Sequence, residues 1–306
     1  MKNYSDKPVL EVDELEISFG MYCKGFIQGA VESISLSVNR GEIVAVVGSS
    51  GSGKSLLAQA VLGILPKNAV SGGNIKYMGD ILTPKLQKKL RGKDIVLIPQ
   101  SVDYLDPLMK VGKQVRGIDG SKKREQILLD RYNLNDNIRK MYPFELSGGM
   151  ARRVLISTAL MGNPKLIVAD EPTPGLSTDL AMETLSHFRE LADNGTAVLL
   201  ITHDIDLALE IADKIVVLYA GTTVEIALKR DFLQGYEFLR HPYTKALMNA
   251  LPQNSFTPIK GSQPYPGNAP SGCTFADRCD AKTNDCLKQI PMRTLRDGKV
   301  RCINAT

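Results

Sequence analysis

Residues 48–55 read GSSGSGKS, directly after the apolar run IVAVV, and this stretch restricts the possible folds more than any other in the chain. Glycine loses more conformational freedom on folding than any other residue, so a cluster this dense needs a purpose. The spacing is G-x-x-x-x-G-K-[ST], the phosphate-binding loop. Gly48, Gly53, Lys54 and Ser55 hold its fixed positions, with Ser49, Ser50, Gly51 and Ser52 between them. The flanks fit: GEIVAVV (41–47) predicts a strand and SLLAQAVLGIL (55–65) a helix. Small residues let backbone N–H groups curl around a triphosphate, and the N-terminus of the following helix adds partial positive charge. Lys54 is expected to reach the β- and γ-phosphates and Ser55 to bind Mg²⁺. The motif specifies a nucleoside triphosphate such as ATP and says nothing about what its hydrolysis drives.

Downstream apolar runs alternate with amphipathic segments. DIVLIPQ (94–100), KLIVADEP (165–172), TAVLLITHD (196–204) and DKIVVLYAG (213–221) read as buried strands, and DLAMETLSHFRELADN (179–194) as a helix. That alternation predicts an α/β fold with a mostly parallel sheet. Ligands of such sheets bind at the C-terminal strand ends. Gln100, Asp170, Glu171 and His203 all fall at such ends. Asp170 is placed as a Mg²⁺ ligand and Glu171 to polarise a water. His187, inside the amphipathic helix, is expected to be structural. ELSGGMARRVLISTALM (145–161) adds a second Ser-Gly-Gly opening of a helix, an anion site that one nucleotide does not need.

These motifs, in this order across about 190 residues, resemble the ATPase subunits of ABC transporters. The resemblance implies a P-loop (RecA-like) ATPase core over residues 1–235, with a helical subdomain at about 101–148 that meets membrane subunits. It implies that two subunits stack head to tail, so that Ser147, Gly148 and Gly149 act in trans on ATP held by the partner. Glu171 would be the catalytic base, His203 would contact the γ-phosphate, and Gln100 would touch Mg²⁺. Met150 replaces the family's usual glutamine, and YPFELSGGM is similar to nickel-transport ATPases. Ser177 stands where the family usually has an aspartate that links the two sites. The adenine-stacking aromatic is left open among Phe19, Tyr22 and Phe26.

The tail carries the rest of the resemblance. EFLRHPYTKALMNALP (237–252) predicts a short helix, QNSFTPIKGSQPYPGNAPSG (253–272) a linker, and four of the five cysteines follow, at 273, 279, 286 and 302. Cys23 lies far from them and is expected to be a plain small residue. HPYT plus a cysteine-containing end resembles the peptide/nickel branch of bacterial ABC importers, making 236–306 a small C-terminal extension. In a reducing compartment such clustering suggests a metal. The spacing C-x5-C-x6-C-x15-C lacks close CxxC pairs. By resemblance Cys273, Cys279, Cys286 and Cys302 would hold a [4Fe–4S] cluster; Zn²⁺ and free or disulfide-bonded cysteines stay open.

No apolar run approaches the ~18 residues of a membrane span, and the N-terminus lacks a signal-peptide core. The formal charge of +5 comes with only short basic runs, such as KLQKKLRGK (85–93), so no nucleic-acid partner is expected. The expected location is the cytoplasmic face of the membrane, as a peripheral subunit. Expected partners are a second ABC ATPase in a heterodimer, two membrane permeases and an extracytoplasmic substrate-binding protein. The rival is a soluble ABC ATPase acting on nucleic acid or ribosomes.

Overall fold

The computed structural model describes residues 7–20, 27–117, 120–265, 267 and 270–306. An antiparallel unit comes first. β1 (Leu10–Gly20) pairs with β2 (Ile27–Val38) and with β4 (Ala69–Tyr77), and β5 (Asp80–Ile81) extends β4. One bridge, Thr222 to Ser33, joins β2 to the main sheet.

The main sheet runs β6 (Ile95–Ile98), β7 (Leu166–Asp170), β8 (Ala197–Ile201), β3 (Ile43–Gly48) and β9 (Lys214–Tyr219), all parallel. β10 (Thr222–Leu228) then returns antiparallel to β9. Every residue of β3, β7 and β8 is buried. This is why their sequences read as unbroken apolar runs: helices cover both faces of a parallel sheet. The expected α/β fold with a parallel sheet is what the chain adopts.

The helices are α1 (Lys54–Leu62), α2 (Pro84–Leu90), α3 (Val111–Arg116), α4 (Lys122–Arg131), α5 (Gly148–Ala159), α6 (Thr178–Asp193), α7 (Ile205–Ile211), α8 (Lys229–Leu233) and α9 (Pro242–Asn249). α1 stops short of the predicted residue 65 because Gly63 adopts the left-handed conformation (φ 64°) and its N–H bonds back to the Ala60 carbonyl. α9 is shorter than the 237–252 stretch as well. His241 caps it and Pro242 takes its first position, which fixes the start.

The described residues after 235 do not stand apart. β12 (Gly298–Val300) pairs with β10, and β11 (Arg293–Leu295) pairs with β12. Leu239, Tyr243, Phe275 and Ile290 belong to the same apolar cluster as Ile43, Val47 and Ile167 of the central sheet. One buried cation ties the region down. Arg240, 2% exposed, meets Asp231 at 2.9 Å and Glu225 at 3.4 Å, and donates to the Leu295 carbonyl at 2.6 Å. Glu225, fully buried, also accepts from the backbone N–H groups of Arg240 and His241, each at 2.8 Å.

His187 is the structural histidine expected from its place in α6. Its Nδ1 bonds the buried Tyr132 hydroxyl. Burial lowers its pKa to about 4, which keeps it neutral.

Candidate nucleotide site

The phosphate loop leaves β3 and enters α1. Gly48 must be glycine for lack of room: a Cβ there would stand 2.3 Å from the Leu218 carbonyl oxygen of β9. Gly53, at φ 93°, caps α1, and a Cβ would meet the Val31 side chain at 2.8 Å. A cleft of about 510 Å³ opens in front of the loop, lined by Ser50, Gly51, Gly53, Lys54 and Ser55 together with Ala30, Leu56, Gln100, Glu171 and His203. A larger hollow, about 750 Å³, lies between β1, β2 and the C-terminal hairpin, and it contains none of the phosphate-loop residues.

The sequence-predicted residues therefore converge from the ends of β3, β6, β7 and β8. Ser55, Gln100 and Asp170 line a small adjoining cleft. The Asp170 carboxylate shares this small cleft with the Ser55 hydroxyl, and its Oδ1 is buried with no protein partner among the described residues. Burial pushes the Asp170 carboxyl upward; Glu171 adds to this, while Ser55, Lys54 and Arg152 oppose it. An oxygen set of hydroxyl, amide and carboxylate, with one orphaned carboxylate oxygen, fits Mg²⁺.

Lys54 is 8% exposed, and burial lowers its pKa against the pull of Glu171 and Asp170. Its Nζ donates to the Gly48 carbonyl at 2.7 Å and the Ser49 carbonyl at 2.9 Å. Glu171 has a left-handed backbone, φ 45°, rare for a residue with a side chain, and its N–H is held by the Ile201 carbonyl at 2.9 Å. Its Oε2 lies 3.0 Å from His203 Nδ1. Ser52 is fully buried, and Ser49 points its hydroxyl at Gln263 and away from the cleft.

Ser147 and Gly148 are exposed and do not line the cleft of their own chain. Ser147 caps α5, its Oγ accepting from the Met150 N–H at 3.3 Å. Ser177 caps α6 without a side-chain bond. Phe19 packs against the core of the antiparallel unit and does not line the cleft; Tyr22, Phe26 and Cys23 lie outside the described residues.

Arg152 had no sequence signal. It is 6% exposed on α5, donates to the Pro99 carbonyl at 2.6 Å and also to the Gln100 carbonyl, and so fixes the loop that carries Gln100. Only an arginine four residues after a Gly-Gly helix start was visible in the sequence, and nothing there indicates its target.

The four tail cysteines carry free thiols. Cys273, Cys286 and Cys302 are buried and Cys279 is half-buried. Burial raises the Cys273 pKa to about 11, with the other three thiols adding smaller upward pushes. Cys286 Sγ accepts from the Thr283 N–H at 3.5 Å, and Asn304 Nδ2 lies 3.8 Å away. Among the described residues no three His, Cys, Asp or Glu side chains converge tightly enough for a single metal ion.

Comparison with known proteins agrees with this geometry. Residues 31–174 match the ABC transporter family, and residues 224–286 match the oligopeptide/dipeptide transporter C-terminal region. The oligopeptide transport ATP-binding protein AppD of Bacillus subtilis is 34% identical, covering 96% of this chain and 96% of that one. The probable D,D-dipeptide transport ATP-binding protein DdpD of Escherichia coli is 34% identical over 97% and 96% of the two chains. Among solved structures, the dimeric post-hydrolysis state of the ATP-binding cassette MJ0796 bound to ADP and Pi superposes with a TM-score of 0.64 at 26% identity, over 72% of this chain and 99% of that one. With the phosphate loop, Glu171 and His203 around one cleft, Asp170 in the cleft beside it, and the HPYT-containing tail in place, the chain belongs to the ABC transporter family, in its oligopeptide/dipeptide branch, as an ATP-hydrolysing subunit.

Proposed function

We propose that the chain energises a bacterial importer of peptides or, alternatively, of nickel or metal chelates. The observation that carries this is the convergence of Lys54, Gln100, Glu171 and His203 on one cleft, with Asp170 in the cleft beside it, in a chain whose tail is of the transporter type. Gly48 to Ser55 bind the phosphates of ATP, and Lys54 leaves the loop carbonyls for the β- and γ-phosphates. Ser55, Gln100 and Asp170 would hold Mg²⁺, which would supply positive charge against the charge that develops on the phosphates. Glu171 draws a proton from the attacking water, and His203 orients Glu171. Ser147, Gly148 and Gly149 complete the site of a second ABC ATPase subunit, in a heterodimer. The nucleotide-binding domain spans 1–235. The helical stretch at about 101–148 faces two permeases, and 236–306 forms the extension. The system includes an extracytoplasmic substrate-binding protein, and this chain sits peripherally on the cytoplasmic face. Among the described residues no helix is long and apolar enough to cross a membrane.

Purified from detergent-solubilised native membranes, the chain is expected to bring two permeases and a second ATPase. Ribosomes or DNA in their place, with no membrane protein, would overturn the transport assignment.

By resemblance to the importer branch, the tail thiols would hold a [4Fe–4S] cluster, with Zn²⁺ as the alternative; among the described residues no three His, Cys, Asp or Glu side chains converge tightly enough for a single metal ion. Cys273, Cys279, Cys286 and Cys302 would be the ligands, and the role is structural. Anaerobic preparations should contain iron and inorganic sulfide and lose both in Cys286→Ser; a colourless, iron-free anaerobic protein would end this assignment.

A further inference from the structure

The segment between α9 and the cysteines runs back across the protein to the phosphate loop. Ser49, the second residue of that loop, donates its hydroxyl to Gln263 Oε1. The buried Tyr243 of α9 lies near Ser49, which pulls its phenol down against the larger upward push of burial. A second contact lies nearby. A Cβ on Gly29 would stand 3.4 Å from Gly267 Cα, and Gly29 precedes Ala30, which lines the ATP cleft.

Both flanks of the segment are anchored. Arg278 donates to the carbonyls of Lys260 (2.6 Å) and Ile259 (2.9 Å) and to the Tyr219 hydroxyl (3.1 Å). The Tyr243 ring packs against Tyr219 at 4.5 Å and Phe275 at 5.3 Å between centroids. Burial lowers the His241 pKa to about 3, so the ring is neutral and its Nδ1 accepts from the Tyr243 N–H at 3.0 Å. Gln263 thus approaches Ser49 from a fixed base.

A phosphate loop points several N–H dipoles at one spot, an arrangement that repels itself until an anion arrives. Restraints that hold it beforehand reduce the ordering cost of binding. Ser49 is well placed to transmit such restraint, because its carbonyl is one of the two that hold Lys54.

We propose that Gln263 is a positioning residue for the phosphate loop, holding Ser49 and the turn that bears Lys54 in the conformation that receives ATP. This deepens the nucleotide-site assignment and rests on it.

The test is the ATP dissociation constant of the full-length chain, with turnover at saturating ATP measured in the assembled transporter. Gln263 is half-buried on a surface segment, so Gln263→Ala should fold with an unchanged melting temperature. Its Kd for ATP should rise roughly three- to ten-fold, the size of one uncharged hydrogen bond. Turnover at saturation should stay within about two-fold, because the ground state and the transition state lose the same binding. In a Ser49→Ala background, Gln263→Ala should have no further effect. A parent chain that binds ATP while Gln263→Ala binds it equally well overturns this proposal alone, as do effects of Gln263→Ala and Ser49→Ala that simply multiply. A parent chain that does not bind ATP overturns the nucleotide site and this proposal together.

Discussion

Glu171→Gln should bind ATP as the parent does and hydrolyse it roughly 10²–10⁴-fold more slowly, the usual worth of a positioned general base. Glutamine keeps the shape of the side chain and can still bond His203, so the 3.0 Å contact need not be lost. What goes is the capacity to take a proton. The backbone supports a specific role: Glu171 holds a left-handed conformation (φ 45°) immediately after β7, and such conformations persist where the surroundings impose them. Single-turnover hydrolysis in the assembled transporter, with ATP binding measured alongside, separates the two effects. Turnover within ten-fold of the parent would remove Glu171 from the role of base.

Arg240→Ala should be the most damaging substitution for stability. It leaves Glu225, which is fully buried, and Asp231, 6% exposed, without their shared cation. Breaking a buried ion pair by removing one partner costs about 3–5 kcal/mol, because an uncompensated charge stays inside. The loss should appear as a lower urea midpoint with an unchanged slope. Neutralising the stranded acids in the same chain, with Glu225→Gln and Asp231→Asn, should recover part of it. A midpoint equal to the parent's would mean that water reaches the acids and that the pair is not buried in solution.

The contrast between these two residues shows what the sequence made legible. Glu171 could be found because its neighbours in the chain define it: an apolar run ending in two acids is a strand delivering carboxylates to a sheet edge. The phosphate loop and His203 are local in the same way, and so are β3, β7 and β8, whose complete burial is written as unbroken Val, Ile, Leu and Ala. Arg240, Arg152 and Gln263 are different. Each works by reaching a group far along the chain: Glu225 is 15 residues away, the Pro99 carbonyl 53 and Ser49 214. Side chains of this kind carry no periodicity and no spacing rule, so only the folded chain identifies them. The Ser-Gly-Gly element lies between these cases. Its chemistry was visible as a helix start built for an anion. That it stands clear of its own chain's cleft needed the structure.

Arg152 has one more implication. It sits on α5, one turn beyond Ser147, and holds the carbonyls of Pro99 and Gln100. The Ser-Gly-Gly helix and the loop that carries Gln100 are therefore bolted to each other through one side chain. On the proposed trans arrangement, any displacement of Gln100 by bound nucleotide would be carried to the helix presented to the partner, with a single arginine as the pin.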